Sequence, residues 1–252
     1  MTASDSPAPG PAVRRGPARG GFREKARVTV RGLGEILITL GLVLLLFCAY
    51  QLWWTDVLSA RESEKLLNTF DDQVAAAPVV DGDIPPLTGL EEGKVFAAMY
   101  VPRFGDSWVR PIVQDVRLSD LHKGVGHYPK SALPGEIGNF ALAGHRTTNG
   151  HPFRDIDDLD RGDQIFVETK YAWYTYEVRT PRKIVLPTDV YVVQPVPEKG
   201  KADAVPTERL LTLTSCNPPY SAAERIIVHA VQTDVRPRAA GPPPGVPSAA
   251  IV

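Results

Sequence analysis

Apolar residues are distributed along this 252-residue chain in two contrasting ways. Early on they run together: residues 36–55 (ILITLGLVLLLFCAYQLWWT) contain no charged side chain. At about 1.5 Å per residue, such a helix matches the ~30 Å core of a bilayer. Trp53 and Trp54 fall at its far end, where indole rings favour the headgroup zone. Further on the apolar runs are short: 95–101, 109–113, 140–143, 164–168, 171–178, 183–186, 191–193, 210–215 and 225–233. Turn formers separate them, among them Pro102, Gly105, Pro134-Gly135, Gly162-Asp163, Pro187 and Pro206. Residues 172–178 (AWYTYEV) have the β-branched and aromatic content that strands prefer. No long 3.6-residue period and no internal repeat appears in this region. Many short strands at close spacing predict an all-β unit, a closed or nearly closed barrel.

The flanking segments complete the expected layout. Residues 1–32 are rich in Pro, Gly, Ala and Arg without apolar periodicity, which predicts a disordered tail. A transmembrane helix is expected over 33–55. Seven basic residues precede it (Arg14, Arg15, Arg19, Arg23, Lys25, Arg27, Arg31) against Asp5 and Glu24. The positive-inside bias then puts the N-terminus in the cytoplasm and the remainder outside. A cleaved signal peptide is the competing reading, but its small-x-small site finds only a weak match in Val57-Leu58-Ser59, beyond Asp56. Cys48 follows Phe47, too bulky for a lipid-attachment site, and is read as packing within the span. Leu58, Leu66, Leu67, Phe70 and Val74 predict a helical stalk ended by Pro78, and 78–93 reads as a Pro/Gly/acid linker, so 56–93 is stalk and linker. The folded unit is expected over 94–235, and 236–252 reads as a disordered Pro/Ala tail.

The formal net charge is −1, with no basic excess over the folded region, which argues against a nucleic-acid partner. Outside the apolar span the chain has a single cysteine, Cys216, at the end of the 210–215 run. It therefore has no disulfide partner in a domain placed outside the cell, where an unpaired thiol needs a reason to persist. His145 follows another short apolar run, and Arg225 opens the last one. A thiol becomes a nucleophile as thiolate, an imidazole can hold its proton, and a guanidinium can stabilise an oxyanion. Each residue alone has a plainer account: inert core for a cysteine, a loop cap for a histidine, a solvated strand end for an arginine. The other histidines, His122, His127, His151 and His229, show that histidine alone is not diagnostic.

Three blocks lift the set above those accounts: GVGHYPKSALPGEIGNFALAGHR over residues 124–146, TLTSC over 212–216 and ERIIV over 224–228. In this order they resemble the signature blocks of the sortase transpeptidases. The first block and the Asn217-Pro218 that follows the cysteine look most like class E sortases of actinobacteria. The resemblance covers about residues 94–235. It implies an eight-stranded β-barrel with short helices, the cysteine ending the seventh strand and the arginine in the eighth. It also implies that Cys216 is the nucleophile, His145 the general acid/base and Arg225 the oxyanion and substrate stabiliser. Thr214 and Ser215 are expected to line the signal groove; the family often has threonine where Ser215 stands. The implied reaction cleaves LAXTG/LPXTG-type C-terminal sorting signals of secreted proteins between Thr and Gly, through a thioacyl intermediate. An amine of the peptidoglycan precursor then takes the acyl group. No cofactor and no metal enter this reading.

Three rivals stay open: a pilin-polymerising sortase, a non-catalytic membrane-tethered β-barrel binding module, and a plain cysteine hydrolase. Pilin polymerases often carry a lid, for which the linker with Asp81, Asp83 and Ile84 is the sole candidate, without an aromatic anchor. The acidic stretch Asp155, Asp157, Asp158, Asp160 and Asp163 invites a calcium reading, but Leu159 and Asp160 fall at the fifth and sixth positions and break a hand-type loop. A short helix and turn is the better account.

Overall fold

The computed structural model describes residues 21–80, 82–180 and 182–250. Two units divide it, 1–51 and 52–252. In the first, the described residues belong to helix α1 (Gly21–Ala76), and Arg23–Tyr50 is long and apolar enough to cross a membrane. Residues 1–20 of the expected basic tail lie outside the described residues, while 21–32, expected as coil, are already helical.

The second unit is built on nine strands: β1 (Val95–Tyr100), β2 (Val109–Gln114), β3 (Val125–His127), β4 (Gly138–Ala143), β5 (Gln164–Thr169), β6 (Ala172–Val178), β7 (Lys183–Val185), β8 (Arg209–Asn217) and β9 (Glu224–Pro237). Eight of them form a closed ring in the order β6-β5-β1-β2-β3-β4-β8-β9, and β9 returns to β6. β7 stands outside the ring, paired only to the first turn-side residues of β9. The expected eight-stranded barrel is therefore the fold, with one short strand added. Leaving β7 aside, β8 and β9 are its seventh and eighth strands.

Most of the apolar runs became strands because their alternate residues fill the barrel interior: Met99, Ile112, Phe140, Leu142, Ile165, Tyr176, Leu211, Leu213 and Val228 form one cluster. One run behaved differently. Residues 191–193 are part of a 3-10 turn, Val190–Val193, although their β-branched content predicts a strand. The Asn139 amide accounts for it, donating to Val192 O at 3.1 Å and Gln194 O at 3.0 Å and so taking carbonyls that a ladder would need. Strand β3 went unrecognised in the sequence because it is only Val-Gly-His. Its Gly126 is needed for close approach: a Cβ there would sit 2.5 Å from Asp115 O.

The expected stalk, linker and tail also lie on the barrel. Phe70 and Val74 of α1 are buried against Val95, Ala98, Tyr100, Val113, Phe166 and Trp173. This second cluster explains why every residue of β1 is buried, since the strand is covered on both faces. Burying Phe70 and Val74 is worth about 2 kcal/mol each. Leu87 is buried in the interior cluster, with Ile84 and Leu90 packed beside it. In the tail, β9 runs to Pro237, and Val246 packs on the outer cluster. Arg238 Nε donates to buried Glu168 Oε1 at 2.8 Å, and Tyr100 Oη donates to Glu168 Oε2 at 2.8 Å. That pair holds the segment where coil was expected. Asp155–Asp163 forms a 3-10 turn, Ile156–Asp158, with Asp160 and Asp163 bridged to Arg103.

Candidate active site

Parallel pairing of β4 with β8 sets the site. Ala143 stands beside Thr214, so both strands leave the barrel at the same end. His145 lies two residues past β4 and Cys216 one residue before the end of β8. Across the antiparallel β8–β9 ladder, Cys216 is the direct partner of Arg225. Opposed residues of an antiparallel pair share a face, so thiol and guanidinium stem stand on one side of the sheet. Leu211 and Leu213 point into the barrel, and alternation then puts Thr212, Thr214 and Cys216 on its outer wall. The three residues picked from the sequence are therefore brought to one end of the barrel.

The loop carrying His145 is sewn to β8. Gly144 N–H donates to Thr214 O at 3.1 Å, and Ser215 Oγ donates to Gly144 O at 2.8 Å. Gly144 must be a glycine, because a Cβ would lie 2.7 Å from the Phe153 ring. Phe153 N–H in turn donates to His145 O at 3.0 Å, which closes the loop behind the imidazole. Thr214 Oγ1 donates to Leu142 O at 3.0 Å and lies 3.3 Å from Tyr128 Oη. Thr214 and Ser215 are thus both buried, and their hydroxyls tie β4 to β8.

Cys216 is a half-buried free thiol. His145 is half-buried, and its Nε2 is buried without a hydrogen bond to a described residue. Burial first, then the neighbouring His122 whose ring centroid is 5.9 Å away, hold its pKa below the ordinary imidazole value. Both causes favour the neutral ring, and one ring nitrogen is uncommitted among the described residues. Arg225 Nη1 donates to Ala222 O at 2.9 Å and to Glu224 O at 2.8 Å, which steadies the guanidinium on its own turn. An open cleft adjoins the site, lined by Asp56, Arg146, Thr148, His151, Pro219 and Tyr220. Among the described residues, no group of three or more His, Cys, Asp or Glu is arranged to hold a metal ion.

Sequence reasoning gave no site role to several residues here. Arg146, Asn217 and Glu224 are linked by hydrogen bonds directly behind the three candidates, and His122 and Tyr128 border them. Arg146 and Glu224 lie inside the signature blocks and Asn217 opens the Asn-Pro after the cysteine, but nothing in the sequence links the three to one another.

Fold and site together define a closed β-barrel protein with a thiol-centred site at one end. A profile of the sortase domain matches residues 99–233, and the chain belongs to the sortase family. Its relatives include Sortase SrtE1 of Streptomyces coelicolor, 36% identical over 225 residues, which are 86% of this chain and 61% of that protein. The chain thus spans less than two thirds of that relative's length. Sortase E of Streptomyces avermitilis is 39% identical, with TM-score 0.56 over 62% of this chain and 99% of that one. Sortase E1 of Streptomyces coelicolor, solved with a tripeptide in its active site, is 34% identical, with TM-score 0.56 over 63% of this chain and 99% of that one.

Proposed function

We propose that this chain is a membrane-anchored class E transpeptidase acting on LAXTG/LPXTG-type sorting signals of secreted proteins. The observation that carries the reading is the direct pairing of Cys216 with Arg225, at the end of the barrel where β4 delivers His145. Neutral His145 takes the thiol proton, and the Cys216 thiolate attacks the carbonyl between Thr and Gly of the signal. Arg225 stabilises the oxyanion with a fixed charge. The imidazolium returns its proton to the leaving glycine amine as the C–N bond breaks, leaving a thioacyl enzyme. An incoming amine, in this reading that of a peptidoglycan precursor, attacks the thioester, gives its proton to His145 and releases Cys216.

Thr214 and Ser215 act from beneath the groove in this scheme, fixing the distance between the His145 loop and β8. The N-terminus is cytoplasmic, supported by the basic residues before the span, and the barrel is outside. The layout proposed is tail, span, docked stalk and linker, and catalytic barrel over 94–235. A pilin-type lid finds no support. Ile84, Pro85, Pro86 and Leu87 border a cleft with Leu133, Pro134 and Arg209, at the opposite end of β8 from Cys216. Seven strand steps separate Arg209 from Cys216, about 23 Å.

The test uses the full chain in detergent micelles with a fluorescent LAXTG peptide, an LPXTG control and a glycine-type amine, followed by mass spectrometry. A ligated product, absent with Cys216→Ala, is expected. Cleavage that never yields ligation would indicate a hydrolase, and a chain inert to both peptides would indicate a binding module.

A further inference from the structure

Behind the three candidate residues runs a second row, with Arg146 buried and Asp157, Asn217 and Glu224 half-buried. Arg146, only 5% exposed, donates from Nη1 to Asn217 Oδ1 at 2.8 Å and bridges from Nη2 to Asp157 Oδ2 at 2.7 Å. Asn217 Nδ2 donates to Glu224 Oε2 at 2.8 Å, directly across the β8–β9 ladder. Each inner member is the chain neighbour of one candidate: Arg146 follows His145, Asn217 follows Cys216, and Glu224 precedes Arg225. Successive strand residues project to opposite faces, so Asn217 and Glu224 lie on the face away from Cys216 and Arg225.

We propose that Arg146 and Asn217 are positioning residues, and that the row Asp157–Arg146–Asn217–Glu224 fixes His145, Cys216 and Arg225 against one another from behind. The proposal rests on the cysteine transpeptidase reading above.

The chemistry of each position fits that task. Asn217 sits between a cation and a carboxylate and is the one side chain of its size offering an acceptor to the first and a donor to the second. Aspartate there would face Glu224 as a like charge, and an apolar residue would leave the buried guanidinium short of a partner. Arg146 must reach two acceptors on different elements, the 3-10 turn at 156–158 and the end of β8. A guanidinium fork does this, whereas a lysine is a single point of charge. The row is therefore polar and anchored on one buried guanidinium, and it crosses every segment that carries a candidate catalytic group. Displacing reacting groups by about 1 Å can cost about 10²-fold in rate, which sets the scale of its effect.

The decisive variants are Asn217→Asp and the exchange Asn217→Asp/Glu224→Gln. The exchange swaps carboxylate and amide and rebuilds both contacts: the carboxylate now at position 217 accepts from Arg146 and from the amide now at position 224. In the full chain in micelles, N217D is expected to lower kcat for the LAXTG peptide about 30-fold, while KM stays within about twofold. N217D/E224Q is expected to return kcat to within about threefold of the original. A second readout needs no peptide: the pH profile of Cys216 alkylation by iodoacetamide, resolved from Cys48 by mass spectrometry. It should shift in N217D and return in the exchange. Unchanged kcat and alkylation profile in N217D, or no recovery of either in a folded exchange variant, would overturn the proposal. So would a loss confined to KM, which would make Arg146 and Asn217 substrate contacts. Should N217D not fold, Arg146→Lys carries the question: a kcat loss of about tenfold at unchanged KM supports positioning, and unchanged kcat overturns it. If the original chain turns over no peptide, the transpeptidase reading fails separately, and the alkylation profiles still decide whether the row positions the thiol.

Discussion

Two histidines of this barrel, eighteen residues apart in the chain, occupy contrasting surroundings. His127 on β3 is 1% exposed, and both ring nitrogens are engaged: Nδ1 lies 2.8 Å from Gln114 Oε1 and Nε2 lies 2.9 Å from Ser131 Oγ. Burial pushes its pKa down to about 4. His145, at the end of β4, is less buried, and its Nε2 is left uncommitted above a loop whose backbone is tied down on both sides. Residue type does not separate the two. What does is that one ring is itself part of the framework, while the other is held by a framework that makes no demand on its ring. The same division holds for cation-bearing side chains: Arg146 is locked into the frame, and Arg225 stands at the edge of solvent.

The sharpest way to break this comparison is to remove the thiol. Cys216→Ala should abolish ligation, by at least about 10⁴-fold, while thermal unfolding is nearly unchanged. Exchanging the histidines' fates comes next. His145→Ala should cost about 10³-fold in kcat with little change in unfolding, measured by peptide turnover and calorimetry side by side. His127→Ala should do the reverse, costing about 3 kcal/mol of stability, with turnover per folded molecule retained. A purely framework charge gives the next effect. Arg238→Ala leaves the buried Glu168 carboxylate without its cation, with only Tyr100 still donating to it, and should destabilise by about 3 kcal/mol without altering KM or kcat.

The smallest effect is a slope. His127 and His229 both have pKa values lowered to about 4 by burial, against about 6.5 when unfolded. The unfolded chain therefore binds more protons between those values, and stability falls as pH drops from about 6.5 to 4, then levels with respect to these groups. Each contributes up to about 1.4 kcal/mol per pH unit, and denaturant melts of His229→Gln across that range should show a shallower fall.

The barrel was legible where strands are long enough to alternate, as in 164–168 and 210–215, because inward and outward faces leave a period in the sequence. It was illegible at β3, where three residues with a central glycine carry no period, and at 191–193, where one distant amide, Asn139, overrides local preference. Docking of the stalk and tail could not be read either. Phe70 and Val74 look like any helical stripe, and only the matching apolar outer face of β1 and β5 turns that stripe into an interface. In the site, Cys216, His145 and Arg225 stood out through motif blocks. Arg146 did not: an arginine in a polar loop reads as solvated, and its burial is created by Asp157 and Asn217 arriving from elsewhere.

Closure of the ring through β6 and β9 has a bearing on the company this protein would keep. Extended chains add readily to any unpaired sheet margin. Among the described residues, the only margin outside the ring is β7, three residues long and opened by Lys183. A ring closed on itself leaves an extended chain little free strand edge to pair with, which makes the barrel a poor template for edge-to-edge association.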